Sequence, residues 1–112
     1  MKRPVLNRLL TLEEPVRSPD GAGGFAVTWT ALGSLWAEVR PGTGRERAGR
    51  GATMSRVPVK IAVRAAPVGA ASRPKPEQRF RDGARVFHIL AVAEADPAAR
   101  YLVCHAEEET VA

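Results

Sequence analysis

This 112-residue sequence predicts an all-β fold with one short helix: a small antiparallel β-barrel or sandwich of about six strands with long loops. Three observations carry that prediction. Asp82-Gly83 stands between two apolar-rich arms, residues 79–81 and 85–89, and an Asp-Gly pair so flanked is a strong short-range hairpin signal. Val57, Val59, Ile61 and Val63 alternate with Arg56, Pro58, Lys60 and Arg64, the pattern of a half-buried strand. Clusters of Gly, Pro, Asp and Ser separate the apolar runs, and short strands punctuated in this way suit a small barrel or sandwich.

The elements follow in order. Leu6, Leu9, Leu10 and Leu12 fit a helix through 6, 9 and 10 and a strand through 6, 10 and 12, so periodicity leaves the state of residues 5–12 open. Pro15 is expected to end that segment, with a flexible loop over 15–24. Phe25, Val27 and Trp29 then alternate with Ala26, Thr28 and Thr30. After a break at Gly33-Ser34, residues 35–39 resume the pattern, giving one long bent strand or two collinear ones. Pro41-Gly42 closes it and opens a second loop, 41–54. There Thr43-Gly44-Arg45-Glu46 has the form of a helix N-cap, although Gly49 and Gly51 would each weaken a helix by about 1 kcal/mol relative to alanine. One or two helical turns, or a mobile loop, are expected there.

The strand through Val57 and Val63 contains Pro58, which lacks a backbone donor, so it should lie at an edge or carry a bulge. Residues 65–78 hold Pro67, Pro74, Pro76 and Gly69 and read as a third long loop, without structure of its own. The hairpin follows, its second arm running through Val92 to the turn at Asp96-Pro97. A last strand begins at Tyr101, and the tail 107–112 is expected to fray.

A chain of this length makes one domain with a single modest core. No apolar run approaches the roughly 20 residues of a membrane span, and the N-terminus has no signal-peptide pattern, so the reading is a soluble protein without a membrane partner. The formal charge of +5 is unevenly spread. Residues 1–39 are balanced, residues 40–85 hold twelve cations against three acids, and residues 86–112 hold one cation against five acids. A basic segment of this size implies contact with nucleic acid or an acidic protein surface, or else a solvated face that keeps the protein soluble. The acidic end adds a further reading, association of copies head to tail.

Catalytic and cofactor chemistry finds little support. His88 and His105 lie in predicted strands and match no zinc spacing, and the lone Cys104 reads as core. Cys104 and His105 are strand neighbours and so point to opposite faces, which makes them a poor nucleophile pair. The glycine clusters at 21–24 and 42–44 lack the Lys-Ser/Thr of a phosphate loop, and no carboxylate pair suggests acid/base work. The chain reads as a non-enzyme with no metal and no cofactor. Its aromatics, one or two per strand, read as core rather than as a base-stacking platform, so phosphate contact is plausible and base readout is not.

Taken in order, several segments carry a resemblance: Arg8-Leu9-Leu10-Thr11-Leu12-Glu13, the Asp20-Gly21 loop, Val27-Thr28-Trp29, Leu35-Trp36-Ala37-Glu38-Val39-Arg40-Pro41, Gly44-Arg45-Glu46, residues 57–64, and the Asp82-Gly83 hairpin. The set resembles the head-tail joining proteins of long-tailed bacteriophages, also called head closure or stopper proteins, over about residues 5–108. Similar proteins occur in prophages and gene transfer agents, and the 14 arginines against 3 lysines suit a high-GC genome.

The resemblance implies a structural virion protein, assembled in the bacterial cytoplasm into a ring in the particle neck, a hexamer being favoured. Such a ring would close the DNA-filled head below the portal and adaptor and join it to tail terminator or tail tube proteins, with packaged double-stranded DNA in its channel. By matching position, Gly44, Arg45, Glu46, Arg47 and Arg50 are candidate subunit or adaptor contacts. Arg73, Lys75, Arg79, Arg81 and Arg85 are candidate DNA-channel or partner-facing cations. The alternative is a small monomeric nucleic-acid-binding barrel.

Overall fold

A computed structural model describes residues 3–42, 47–48 and 54–111, and among them every regular element is a strand. These are β1 (Arg8–Pro19), β2 (Phe25–Pro41), β3 (Arg47–Ala48), β4 (Met54–Arg64), β5 (Arg79–Asp82), β6 (Arg85–Glu94) and β7 (Tyr101–Val111). All pairings are antiparallel, and they run β2-β1-β5-β6-β7-β4, with β4 returning to β2. Six strands therefore close on themselves as a small barrel, which leaves few open edges. β3 is a two-residue addition to the outer end of β4. The expected short helix finds no counterpart here: Arg47–Ala48 pair as strand, and the rest of 43–53 lies outside the described residues.

The interior is filled by alternate residues from every barrel strand: Leu10 and Leu12 from β1, Ala37 from β2, Val59, Ile61 and Val63 from β4, Phe80 from β5, Phe87 and Ile89 from β6, and Leu102, Cys104 and Ala106 from β7. Period two thus decides the first segment: Leu10 and Leu12 point inward while Leu9 is half exposed. Burial of each large side chain is worth about 1.5–3 kcal/mol, so this alternation sets the register of the whole barrel.

The hairpin differs from its sequence reading by one residue. Asp82 pairs with Arg85, so the two turn residues are Gly83 and Ala84, with Gly83 at φ 60°. A glycine with positive φ at the first central position fits a type II′ turn. Packing explains the shift, because this register sets Phe80 opposite Phe87, both fully buried; a turn at Asp82-Gly83 would have set Phe80 opposite Arg85.

Prolines also sit where the chain tolerates them. Pro15 does not end β1 but pairs opposite Trp29, just beyond the Thr11–Glu13 stretch that pairs with β5. Its missing donor therefore faces an open edge. Pro58 lies in a central strand, in the gap between the partners β2, which pairs Val59 onward, and β3, which pairs Arg56. Gly42 crosses that gap and donates its N–H to the Pro58 carbonyl at 3.0 Å, and a Cβ on Gly42 would come within 2.8 Å of the Pro58 backbone.

β2 is one continuous strand of 17 residues. Leu32 is an extra residue in its ladder with β1, and Gly33 next to it has φ 141°. A bulge bends its strand, and beyond this one residues 14–19 and 25–30 pair only with each other, as a two-stranded ribbon leaving the barrel. Asp20 ties the ribbon tip, its Oδ1 accepting from the backbone of Ala22 at 2.8 Å and Gly24 at 3.0 Å, where a flexible loop was expected.

Two more segments are more ordered than the sequence implies. Residues 65–78 form successive turns closed by Ala70 to Pro67, Arg73 to Ala70 and Gln78 to Lys75 backbone bonds. Pro74 is buried, and Ile89 of β6 donates its N–H to the Gln78 carbonyl and accepts from the Glu77 N–H. The tail expected to fray from 107 instead continues β7 to Val111, Glu107 opposite Pro58 on one side and His88 on the other.

Candidate functional site

The barrel exterior carries the chemistry, because outward residues alternate with the buried set. Glu13 is the hub of the best-ordered cluster. It faces outward from β1 yet is only 4% exposed, since Arg79 and Arg81 of β5 close over it. Arg79 Nε donates to Glu13 Oε1 at 2.7 Å, and Arg81 Nε stands 3.4 Å from Oε2. The Arg79 guanidinium also stacks on Trp29 at 4.0 Å, rooting the ribbon on the barrel wall. Trp29 in turn meets His88 edge-on at 6.3 Å. The His88 Nε2 is buried without a hydrogen bond, at ion-pair distance, 3.5 Å, from Glu109.

The hairpin tip is likewise neutralised from within. Arg85 forms a bidentate pair with Glu108, at 2.7 and 2.9 Å, and Arg8 pairs with Asp82 at 2.6 Å. The Arg85 hydrogen bonds hold the Glu108 carboxyl below its ordinary pKa. Arg56 reaches Glu109 at 3.7 Å, and Glu107 is also engaged. The acidic end of the chain is thus largely used inside the molecule.

Of the predicted DNA-facing cations, the structure brings Arg79, Arg81 and Arg85 to neighbouring positions on β5 and β6, and each has an acid partner. Arg73 lies apart in the 65–78 turns, donating to the Ala66 carbonyl at 2.9 Å. Lys75 is exposed, and its ammonium has no hydrogen bond or ion pair among the described residues. Of the predicted subunit contacts, Gly44, Arg45, Glu46 and Arg50 lie outside the described residues, and Arg47 is placed as backbone in β3.

Among the described residues, loosely paired and unpaired cations gather on the outer face of β2, β4 and β7. Arg40 lies opposite Lys60, and Lys60 lies opposite His105, a row across three strands. Arg40 has one loose ion pair, to Glu38 at 3.4 Å, while Lys60, His105 and Arg64 have none among the described residues. Beside the row, Arg3, Arg40, Lys60, Glu38 and Glu94 line a depression of about 380 Å³.

Exposed apolar groups form a second kind of surface. Phe25 and Val27 lie on one face of the ribbon, 61% and 51% exposed, and Val16 on the other. Trp36 and Leu9, paired across β2 and β1, are also half exposed. The reading of the aromatics as core therefore holds for Phe80, Phe87 and Tyr101 and fails for Phe25 and Trp36. Residues beyond the bulge have no barrel interior to enter. Cys104 points into the core and His105 out, and among the described residues no three His, Cys, Asp or Glu side chains converge as a metal site.

The chain is similar to known proteins over nearly its whole length. The family model for phage head completion proteins matches residues 1–109. The chain belongs to that family. Its fold matches a chain of a solved structure described as the virion of a native gene transfer agent particle, with TM-score 0.86 and 64% identity over 98% of this chain and 100% of the other. A comparison with curated protein sequences found no match. The chain is a structural protein of the head-tail neck of a phage-like particle.

For this head completion protein, sequence reasoning missed Glu13 as a hub and the outward row Arg40-Lys60-His105. The alternation of Arg56, Lys60 and Arg64 with buried valines was visible, so one strand's contribution to a basic face could have been found. Which strands lie beside it could not, because pairing between β2, β4 and β7 joins segments far apart in sequence.

Proposed function

We propose that the chain assembles as a ring, a hexamer being favoured, in the neck of a phage-like particle. There it closes the DNA-filled head beneath the portal and adaptor and receives the tail terminator or tail tube. The observation that carries this reading is the full-length likeness, at 64% identity, to a chain of a gene transfer agent virion. The role is one of assembly and asks for no catalysis.

Ring formation needs two different, complementary patches on each copy. The ribbon, with exposed Val16, Phe25 and Val27, offers one. Gly44, Arg45, Glu46, Arg47 and Arg50, together with the 65–78 turns, are the proposed surface for a neighbouring copy or the adaptor. Among the cations, Arg73 and Lys75 have no acid partner among the described residues and are proposed to face a partner or the channel, Arg73 with one guanidinium nitrogen held by the Ala66 carbonyl. Arg79, Arg81 and Arg85 do so only through the charge left over from their pairs with Glu13 and Glu108.

The test is electron microscopy of particles made without this protein. Heads that have lost their DNA and carry no tail are expected. Particles that retain DNA and bear attached tails would overturn the reading.

A further inference from the structure

The outer face of β2, β4 and β7 brings cations together with few acids to answer them. Where β7 carries its acids, facing charges have opposite sign: Arg56 faces Glu109, and Arg85 is clasped by Glu108. In the row Arg40-Lys60-His105, two cations, Arg40 and Lys60, sit directly opposite each other, an arrangement that destabilises a sheet, and the His105 imidazole follows on β7. Arg64 lies on the same face of β4, four residues and roughly 13 Å from Lys60. Arg3 adjoins Lys60 and Arg40 in the depression between them, with Glu38 and Glu94 as its acids. Glu38 is already engaged, by the Val5 N–H at 2.8 Å and by Arg40.

We propose that this face, rather than the hairpin tip, is where the protein meets the phosphate backbone of duplex DNA. A second copy makes a poor occupant, because the acidic end that could answer these cations is spent internally, on Arg85, Arg56 and the partner of Glu107. A polyphosphate supplies the missing counter-charge in a continuous line, which matches a row of cations better than one pocketed carboxylate would. The contact reads charge and not sequence, since none of these side chains is held in a fixed, bidentate geometry. The identity of the polyanion rests on the neck reading; the position of the cationic row does not.

The experiment is fluorescence anisotropy of the isolated full chain with a labelled duplex at low salt, combined with thermal unfolding. Replacing Arg40→Gln and Lys60→Gln together is expected to weaken binding at least tenfold and to flatten the slope of log affinity against log salt by about 1.8, two phosphate contacts' worth. Their unfolding midpoint should stay level or rise, because like-charge repulsion is relieved. Lys60→Arg, which keeps the charge, should bind as the parent does. Absence of duplex binding by the parent chain overturns the proposal. So does a double variant that binds normally, or one that loses binding together with its midpoint. Loss on Arg73→Gln with Lys75→Gln, while the row is dispensable, moves the contact to the 65–78 turns and also overturns it. If the row variants bind DNA normally yet make tailless particles, the occupant is an acidic protein face instead. Each of these failures leaves the neck reading to be judged by its own particle images.

Discussion

Arg79 Nε donates to Glu13 Oε1 at 2.7 Å across 66 residues of sequence, and both side chains are largely closed off from water. This pair joins the first barrel strand to the hairpin. Through the stacking of Arg79 on Trp29 it also fixes the direction in which the ribbon leaves. Removing the carboxylate leaves the largely buried Arg79 guanidinium, with Arg81 beside it, without its acid. Glu13→Ala is expected to destabilise the fold by about 3 kcal/mol in urea denaturation. Proteolysis at the ribbon should accelerate in the same variant, because its anchor is loosened.

Phe80 and Phe87 face each other in the centre of the core. Phe80→Ala should lower stability by about 3–5 kcal/mol, the ordinary loss for a buried aromatic, and Phe80→Leu by distinctly less. Chemical denaturation of the two variants measures both. Equal losses would show that the pair is not closely packed.

Gly42 is required by contact rather than by its dihedral angles. Gly42→Ala would drive a methyl group into the Pro58 backbone at 2.8 Å, so a loss of about 1–3 kcal/mol is expected. Thermal unfolding of this variant beside Gly21→Ala, where the added carbon meets only space, separates crowding from backbone strain.

The Arg85–Glu108 pair gives the stability a sign in pH. Its hydrogen bonds lower the folded pKa of Glu108 below the ordinary value of 4.5. The contribution is therefore complete above the unfolded carboxylate pKa and is lost as pH falls through the lowered folded value. Urea midpoints of the parent and of Glu108→Gln should differ most near neutral pH and converge in acid. A difference independent of pH would mean that the pair contributes by packing alone.

Burial raises the Cys104 thiol to about 12. At pH 8 only about one thiol in ten thousand is then ionised in the folded chain, so a thiol reagent should label Cys104 at the rate of unfolding. By the same linkage, Cys104 supports the fold below the pKa of the unfolded thiol. That support declines as pH rises past it, and Cys104→Ser should show a flatter alkaline limb.

Local pattern and turn chemistry were enough to determine the β class, the strands through Val57 to Val63 and Phe87 to Ile89, the presence of the hairpin and the charge asymmetry along the chain. The strands and the hairpin depend on residues two to four apart, the range over which alternation and turn preference act, and the charge asymmetry is a plain count along the chain. The ordered motifs carried the family as well, since they span nearly the whole chain. Tertiary structure alone decided the rest. It closed the ring through β2 and β4, placed Pro58 at a change of partner, and moved the hairpin turn by one residue to bring Phe80 against Phe87. It also turned the acidic tail into a paired strand and sent Phe25 and Val27 outward beyond a bulge. The physical reason is common to all of these. A strand's neighbours are chosen by the matching of whole faces across long sequence separations, and the sign of a charge in sequence does not say whether it will meet a partner, as Glu108 does, or a like charge, as Lys60 does.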